Sequence, residues 1–129
     1  MQISSVPEAA SFHLWPAVEQ ILAPAADFED VFDPASDVLW IAYDRGVIFG
    51  AATTRLMADG EAELRLIGGT RFREWIAPLD EAVCGWARAC GSPRLTARGR
   101  KGWARFNRAF GWVAHAVDDE GKIEFSKGL

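Results

Sequence analysis

Apolar and polar residues change their spacing twice along this chain, and each change marks a change of element. Between Ser11 and Leu22 the residues Phe12, Trp15, Val18 and Leu22 recur every three or four positions, which predicts a helix. Pro16 interrupts that pattern, so the expected helix begins late or bends there, and Pro24 marks its end. Ahead of it, Gln2–Val6 reads as a short strand stopped by Pro7. From Val38 the period drops to two. The runs 38–43 and 47–56 flank the turn Asp44-Arg45-Gly46 as a hairpin, and Asp59-Gly60 starts a further turn. Residues 61–67 then alternate Ala62, Leu64 and Leu66 against Glu61, Glu63 and Arg65, which predicts a third strand with one packed face.

Helical spacing returns at Phe72. Trp75, Ile76, Leu79, Val83, Trp86, Ala87 and Cys90 line one stripe, and Gly91 follows as a C-terminal stop. Pro78 fits such a helix most simply when the first turn starts near Trp75, so 75–90 is the expected span. A strand at 94–98 comes next. Trp103, Phe106 and Phe110 mark a shorter helix ending at Gly111, and 112–117 with 122–125 form a closing hairpin. The acidic segment 27–37 reads as a short helix or loop fastened by Phe28, Val31 and Phe32. No repeat or linker divides the 129 residues, so residues 1–129 are expected to form a single α/β (α+β) domain.

Composition adds three things. Six Trp and eight Phe exceed what so short a chain buries easily, which suggests an aromatic contact patch and a homo-oligomer. The net charge of −4 hides a split: residues 1–64 carry net −9, residues 65–108 net +7, and residues 109–129 net −2. That polarity favours an anionic ligand on the second half or head-to-tail protein contacts, while the overall acidity argues against nucleic acid. There is no apolar run of membrane-spanning length and no signal-peptide pattern, so a cytoplasmic protein without a membrane partner is expected. Cys84 and Cys90 do not make a disulfide framework, and His13 and His115 lie outside any metal-ligand spacing, so no metal is expected.

The order of elements, together with Ala87-Arg88-Ala89-Cys90-Gly91 and Phe106-Asn107-Arg108-Ala109-Phe110-Gly111-Trp112, resembles the GCN5-related N-acetyltransferase (GNAT) superfamily. Gly99-Arg100-Lys101-Gly102-Trp103-Ala104-Arg105, with Gly68-Gly69 ahead of Arg73-Glu74-Trp75, more specifically resembles small acetyltransferase-like proteins of tailed phages and prophages. The resemblance implies an acyl-CoA N-acyltransferase-like fold, a mixed and mostly antiparallel sheet flanked by helices. It covers 38–117 by residues and the first 37 by topology alone.

In that family coenzyme A lies along the fourth strand, with its pyrophosphate on the amides of a loop written Gln/Arg, two residues, Gly, one residue, Gly/Ala. The resemblance puts Arg71 at the first position of the loop. Glu74 and Ile76 then occupy the glycine positions, bringing a carboxylate and bulk where bare backbone should be. A shifted register uses Gly68 and Gly69, with Arg65, Ile67, Arg71 and Arg73 completing the cofactor-binding set. The family's general acid, a Tyr, aligns with Asn107, which can position a ligand but cannot protonate a thiolate. Glu63 is the candidate general base and Glu61 the second choice, while Tyr43 reads as a packed hairpin residue.

Two readings follow. The first is a catalytically silent phage or prophage module that needs no cofactor. It makes protein contacts, with phage structural proteins among the candidate partners, and could be virion-associated. The alternative is an acetyl-CoA-dependent N-acetyltransferase with a diverged pyrophosphate loop.

Overall fold

The alternating stretch between Val38 and Ile67 builds the middle of a seven-stranded sheet. The computed structural model describes residues 1–23, 32–99 and 109–129. In chain order the elements are β1 (Gln2–Val6), α1 (Glu8–Leu22), β2 (Asp37–Asp44), β3 (Val47–Leu56), β4 (Ala62–Gly69), α2 (Phe72–Ala89), β5 (Arg94–Gly99), β6 (Val113–Val117) and β7 (Ile123–Gly128). The strands lie side by side as β1-β2-β3-β4-β5-β7-β6, all antiparallel neighbours except the parallel pair β4–β5. The fold is that of the acyl-CoA N-acyltransferases, with helices on both faces of one mixed sheet.

Each face carries its own core. On one side α2 buries Trp75, Leu79 and Val83 against Trp40, Ala52, Ala62, Leu95 and Phe125. Trp86, on the same stripe, is half-buried and meets Trp40 edge-on, with ring centroids 6.4 Å apart. On the other side α1 seats Val18 and Leu22 on Leu39, Ala51 and Leu66, and Trp15 stacks on Phe32 with centroids 4.2 Å apart. Buried indoles need an acceptor for their N–H, and each has one. Trp40 donates to Thr54 Oγ1 at 2.9 Å, Trp75 to the Thr70 carbonyl at 2.8 Å and Trp112 to Asp80 Oδ1 at 2.8 Å. The five described Trp residues are buried or half-buried.

Three expectations change. Helix α1 begins at Glu8, directly after Pro7, and continues through Pro16, which lies inside the assigned helix. Helix α2 starts at Phe72, earlier than Pro78 suggested, because Arg71 in the left-handed conformation (φ 55°) sets its first turn. Pro78 then lies beyond the first turn, and its missing N–H would have served the carbonyl of Glu74, an exposed residue that water reaches.

The third change concerns β4. Thr53 and Thr54 are consecutive, yet they pair with Leu66 and Leu64, so Arg65 is an extra residue bulging from the strand. Ala62 and Leu64 therefore face the α2 core while Leu66 faces the α1 core. The strand packs on both faces. The predicted alternation with one packed face holds only up to the bulge.

The helix stop at Gly91 is as expected. With φ at 79° it completes a Schellman cap, in which Ser92 N–H reaches the Ala87 carbonyl and Gly91 N–H the Arg88 carbonyl, at 3.0 and 2.9 Å. The charge split resolves into ion pairs between segments. Arg94 holds Glu61 at 2.7 Å, and Lys127 holds Asp80 at 2.7 Å. Among the described residues no helix is long and apolar enough to cross a membrane. The predicted short helix at 103–110 and the fasteners Phe28 and Val31 lie mostly or wholly outside the described residues.

Candidate active site

Strands β4 and β5 form a ladder for only three residues, Ala62–Leu64 against Leu95–Ala97. Beyond Leu64 and Ala97 they part, β4 running on to Gly69 and β5 to Gly99. The bulge at Arg65 sits where the parting begins, because the extra residue turns β4 out of register with a parallel neighbour. A wedge opens there on the α2 side of the sheet, about 630 Å³ with open solvent included. Its walls are mainly apolar, with Leu64 and Ile67 from β4, Leu79 from α2, Leu95 and Ala97 from β5, and Phe110. Arg65, Asp80 and Arg98 add polar groups.

Of the site residues singled out in the sequence, Arg65 and Ile67 line this wedge, and so does Ile76, the bulky residue at the second glycine position of the loop. The Arg65 side chain is largely buried and lies 3.4 Å from Glu63 and 4.0 Å from Asp37. Glu63 stands on the α1 face one residue short of the parting, its side chain 32% exposed. Glu61, the second candidate base, is engaged by Arg94 through two bonds at 2.7 and 3.2 Å. Tyr43 is a half-buried β2 residue paired with Gln2.

The β4–α2 connection is short. Only Thr70 and Arg71 separate Gly69 from Phe72. Arg71 lies over the Phe49 ring at 4.3 Å and grips Glu74 with both its Nε and Nη2. Bonding to Arg71 holds the Glu74 carboxyl below its ordinary range. Arg73 is exposed on the first turn of α2. Gly68 and Gly69 are both packed against protein backbone. A Cβ at Gly68 would fall 2.7 Å from the Ile21 carbonyl, and one at Gly69 (φ 138°) 2.3 Å from the Phe49 carbonyl. Asn107 and the basic run 100–105 lie outside the described residues.

Sequence reading missed Asp80. It sits inside the apolar stripe of α2, accepts from Trp112 and Lys127, and lies 3.9 Å from the Cys84 thiol. Burial, with the Asp80 carboxylate second, pushes the Cys84 thiol pKa up. The available signal was a lone acid at a buried helical position, which demands a buried donor. Its partners are 32 and 47 residues away, where periodicity gives no guidance.

No protein-family model matches the sequence, and no curated protein does. Solved structures do. An acetyltransferase from Bacillus subtilis in complex with CoA is similar with a TM-score of 0.77 at 11% identity, covering 99% of this chain and 98% of that one. A GNAT family acetyltransferase from Elizabethkingia anophelis with acetyl-CoA bound gives 0.76 at 15%, covering 99% and 97%. An IAA acetyltransferase from Bacillus cereus gives 0.70 at 12%, covering 99% of both chains. At these identities the likeness defines the fold, the acyl-CoA N-acyltransferase fold of the GNAT acetyltransferases.

Proposed function

We propose that this chain is an acyl-coenzyme A-dependent N-acyltransferase, with acetyl-CoA as the donor. The observation that carries the reading is the wedge between β4 and β5. A strand edge that loses its neighbour over Leu66–Gly69 offers backbone donors and acceptors to an extended, amide-bearing ligand, which adds to the sheet as a further strand does. The pantetheine arm of coenzyme A is such a ligand. The residues fit it in part: Ile67 and Leu79 provide apolar walls, and Arg71 and Arg73 at the start of α2 supply cations toward the phosphate end, whereas Arg65 is engaged with Glu63 and Asp37. What acetyl-CoA supplies is an acyl group activated as a thioester. The chain's residues hold and orient it, and Glu63 receives the proton of the acceptor amine directly or through water. The amine nitrogen bonds the acyl carbon as the carbon–sulfur bond breaks, and coenzyme A leaves as its thiol after taking a proton from solvent. Structures of this fold with CoA or acetyl-CoA bound support the reading.

One observation favours a second reading, a catalytically silent module. Arg71 is already gripped by Glu74, and the two glycines ahead of it face protein backbone. The phage or prophage origin, virion association and structural-protein partners belong to that reading alone. Titration calorimetry with acetyl-CoA separates the two. The enzyme reading expects a low-micromolar dissociation constant, lost when Arg71 and Arg73 are reversed to Glu and when Ala97→Trp fills the wedge. No heat at millimolar ligand with folded protein overturns it in favour of the silent module.

A further inference from the structure

The α1 face of the sheet carries an unbroken row of polar side chains below the wedge. Direct pairing aligns Asp37 with Arg55, Arg55 with Glu63, Glu63 with Thr96 and Thr96 with Ser126. Residues directly opposite in a ladder project from the same face, so all five stand on one side. His115 of β6 extends the row, its Nε2 lying 2.5 Å from Ser126 Oγ.

The two ends of the row differ. Asp37 and Arg55 satisfy each other through two bonds at 2.6 and 2.9 Å, and Asp37 also accepts the Asp33 N–H. Since α1 packs chiefly on β3 and β4, the part of the row beyond Glu63, on β5, β7 and β6, runs past it. On β5 the same face presents Arg94, Thr96 and Arg98. The two arginines lean away from the row, Arg94 to Glu61 and Arg98 to Asp118. What lies between these ion pairs is a polar strip of one carboxylate, two hydroxyls and an imidazole. It begins one residue short of the point where the wedge opens.

We infer that this strip receives the acyl acceptor, and that the acceptor is a small primary amine carrying hydroxyl groups. The inference rests on the acyltransferase reading above. Neighbouring strands are about 4.8 Å apart, so an amine at the β4–β5 parting lies about 7 Å from Ser126. A ring of six atoms with hydroxyl substituents spans that distance. Its nitrogen then sits beside Glu63, and its hydroxyls exchange hydrogen bonds with Thr96, Ser126 and His115, each of which can donate or accept. Thr96 already reaches the Ala62 carbonyl and Ser126 already meets His115, so an apolar amine of the same size would cost these groups only the further hydrogen bonds they make to water, which a hydroxylated amine replaces. Ser126 and His115 act as positioning residues, and Glu63 as the group that touches the reacting nitrogen.

The test uses the full chain, acetyl-CoA and two probes of equal ring size, glucosamine and cyclohexylamine. Acetyl-CoA binding is measured first, by calorimetry. With binding in place, glucosamine is expected to be acetylated with kcat/KM at least about tenfold above cyclohexylamine, the scale of one or two net hydrogen bonds. Ser126→Ala and His115→Phe should each raise KM for glucosamine with kcat and the acetyl-CoA dissociation constant unchanged, and glucosamine alone should move the His115 imidazole resonances. Glu63→Gln should instead lower kcat. If acetyl-CoA binds but the two amines react alike, or the Ser126 and His115 variants leave KM unmoved, the acceptor inference is wrong and the acyltransferase reading stands. If acetyl-CoA does not bind, both fall.

Discussion

Asp80 Oδ2 accepts a hydrogen bond from Lys127 Nζ at 2.7 Å, tying the middle of α2 to the last strand across 47 residues of sequence. The same carboxylate takes the Trp112 N–H on its other oxygen. Side-chain exposures of 11% for Asp80 and 18% for Lys127 leave little water to replace either partner. Asp80→Ala should therefore cost about 3 kcal/mol, because it strands a buried ammonium and a buried indole N–H. The double variant Asp80→Leu with Lys127→Met should lose less than the sum of the two single changes. Urea unfolding of the four proteins gives that coupling directly.

Gly50 lies under Trp75. A Cβ there would come 2.3 Å from Trp75 Cζ2 and 2.5 Å from Cε2, inside a fully buried ring. Gly50→Ala should destabilise by about 1–3 kcal/mol, the usual range for overpacking, and should perturb the tryptophan fluorescence. Gly85, which has open space around its Cβ position, is the control and should tolerate alanine with little loss.

The two thiols should differ in reactivity. Cys90 is exposed at the end of α2, whereas Cys84 is buried, its pKa raised by burial beside Asp80. Since the thiolate is the reactive form, a thiol reagent should titrate Cys90 alone in the native protein and both residues after unfolding. Rapid reaction of both in the folded state would contradict the packing around Asp80.

Acid should weaken the fold through identified pairs. Arg71 lowers the pKa of Glu74 from an ordinary 4.5, and Arg98 lowers that of Asp118 from 3.8. A carboxylate with a depressed folded-state pKa contributes stability that is present above its unfolded value and is lost as pH falls through the folded one. The melting temperature should thus drop below about pH 4. Replacing Arg71 and Arg98 with Ala should flatten that drop and change little at neutral pH, since both pairs are at the surface.

Much of the architecture was legible because it is written in local spacing. The switch from period two to helical spacing near Phe72, the Asp44-Arg45-Gly46 turn and the Gly91 stop each act within a few residues. The start of α2 was misplaced because Pro78 gives a strong local signal that Arg71, in a conformation rare for a side-chain-bearing residue, overrides. The bulge was hidden because Leu66 and Ile67 are both apolar, so the alternation shows no visible fault. Of the candidate site, Arg65 and Ile67 line the wedge, while Glu63 stands on the α1 face one residue short of it. Asp80, Ser126 and His115 were not found, because their significance depends on partners brought close by the sheet.

That one inserted residue at Arg65 also divides the labour of β4. Residues before it answer to the α2 core and residues after it partly to the α1 core, so a single strand is read in two phases. Deleting Arg65 would set Leu64 beside Leu66, opposite the consecutive Thr54 and Thr53, and Ala62, Glu63 and Leu64 would keep the faces they present now. What would go is the extra residue at the point where β4 leaves β5, so the strands could pair further and close the wedge. The opening thus depends on an excess of one amino acid, while the polar strip before it does not.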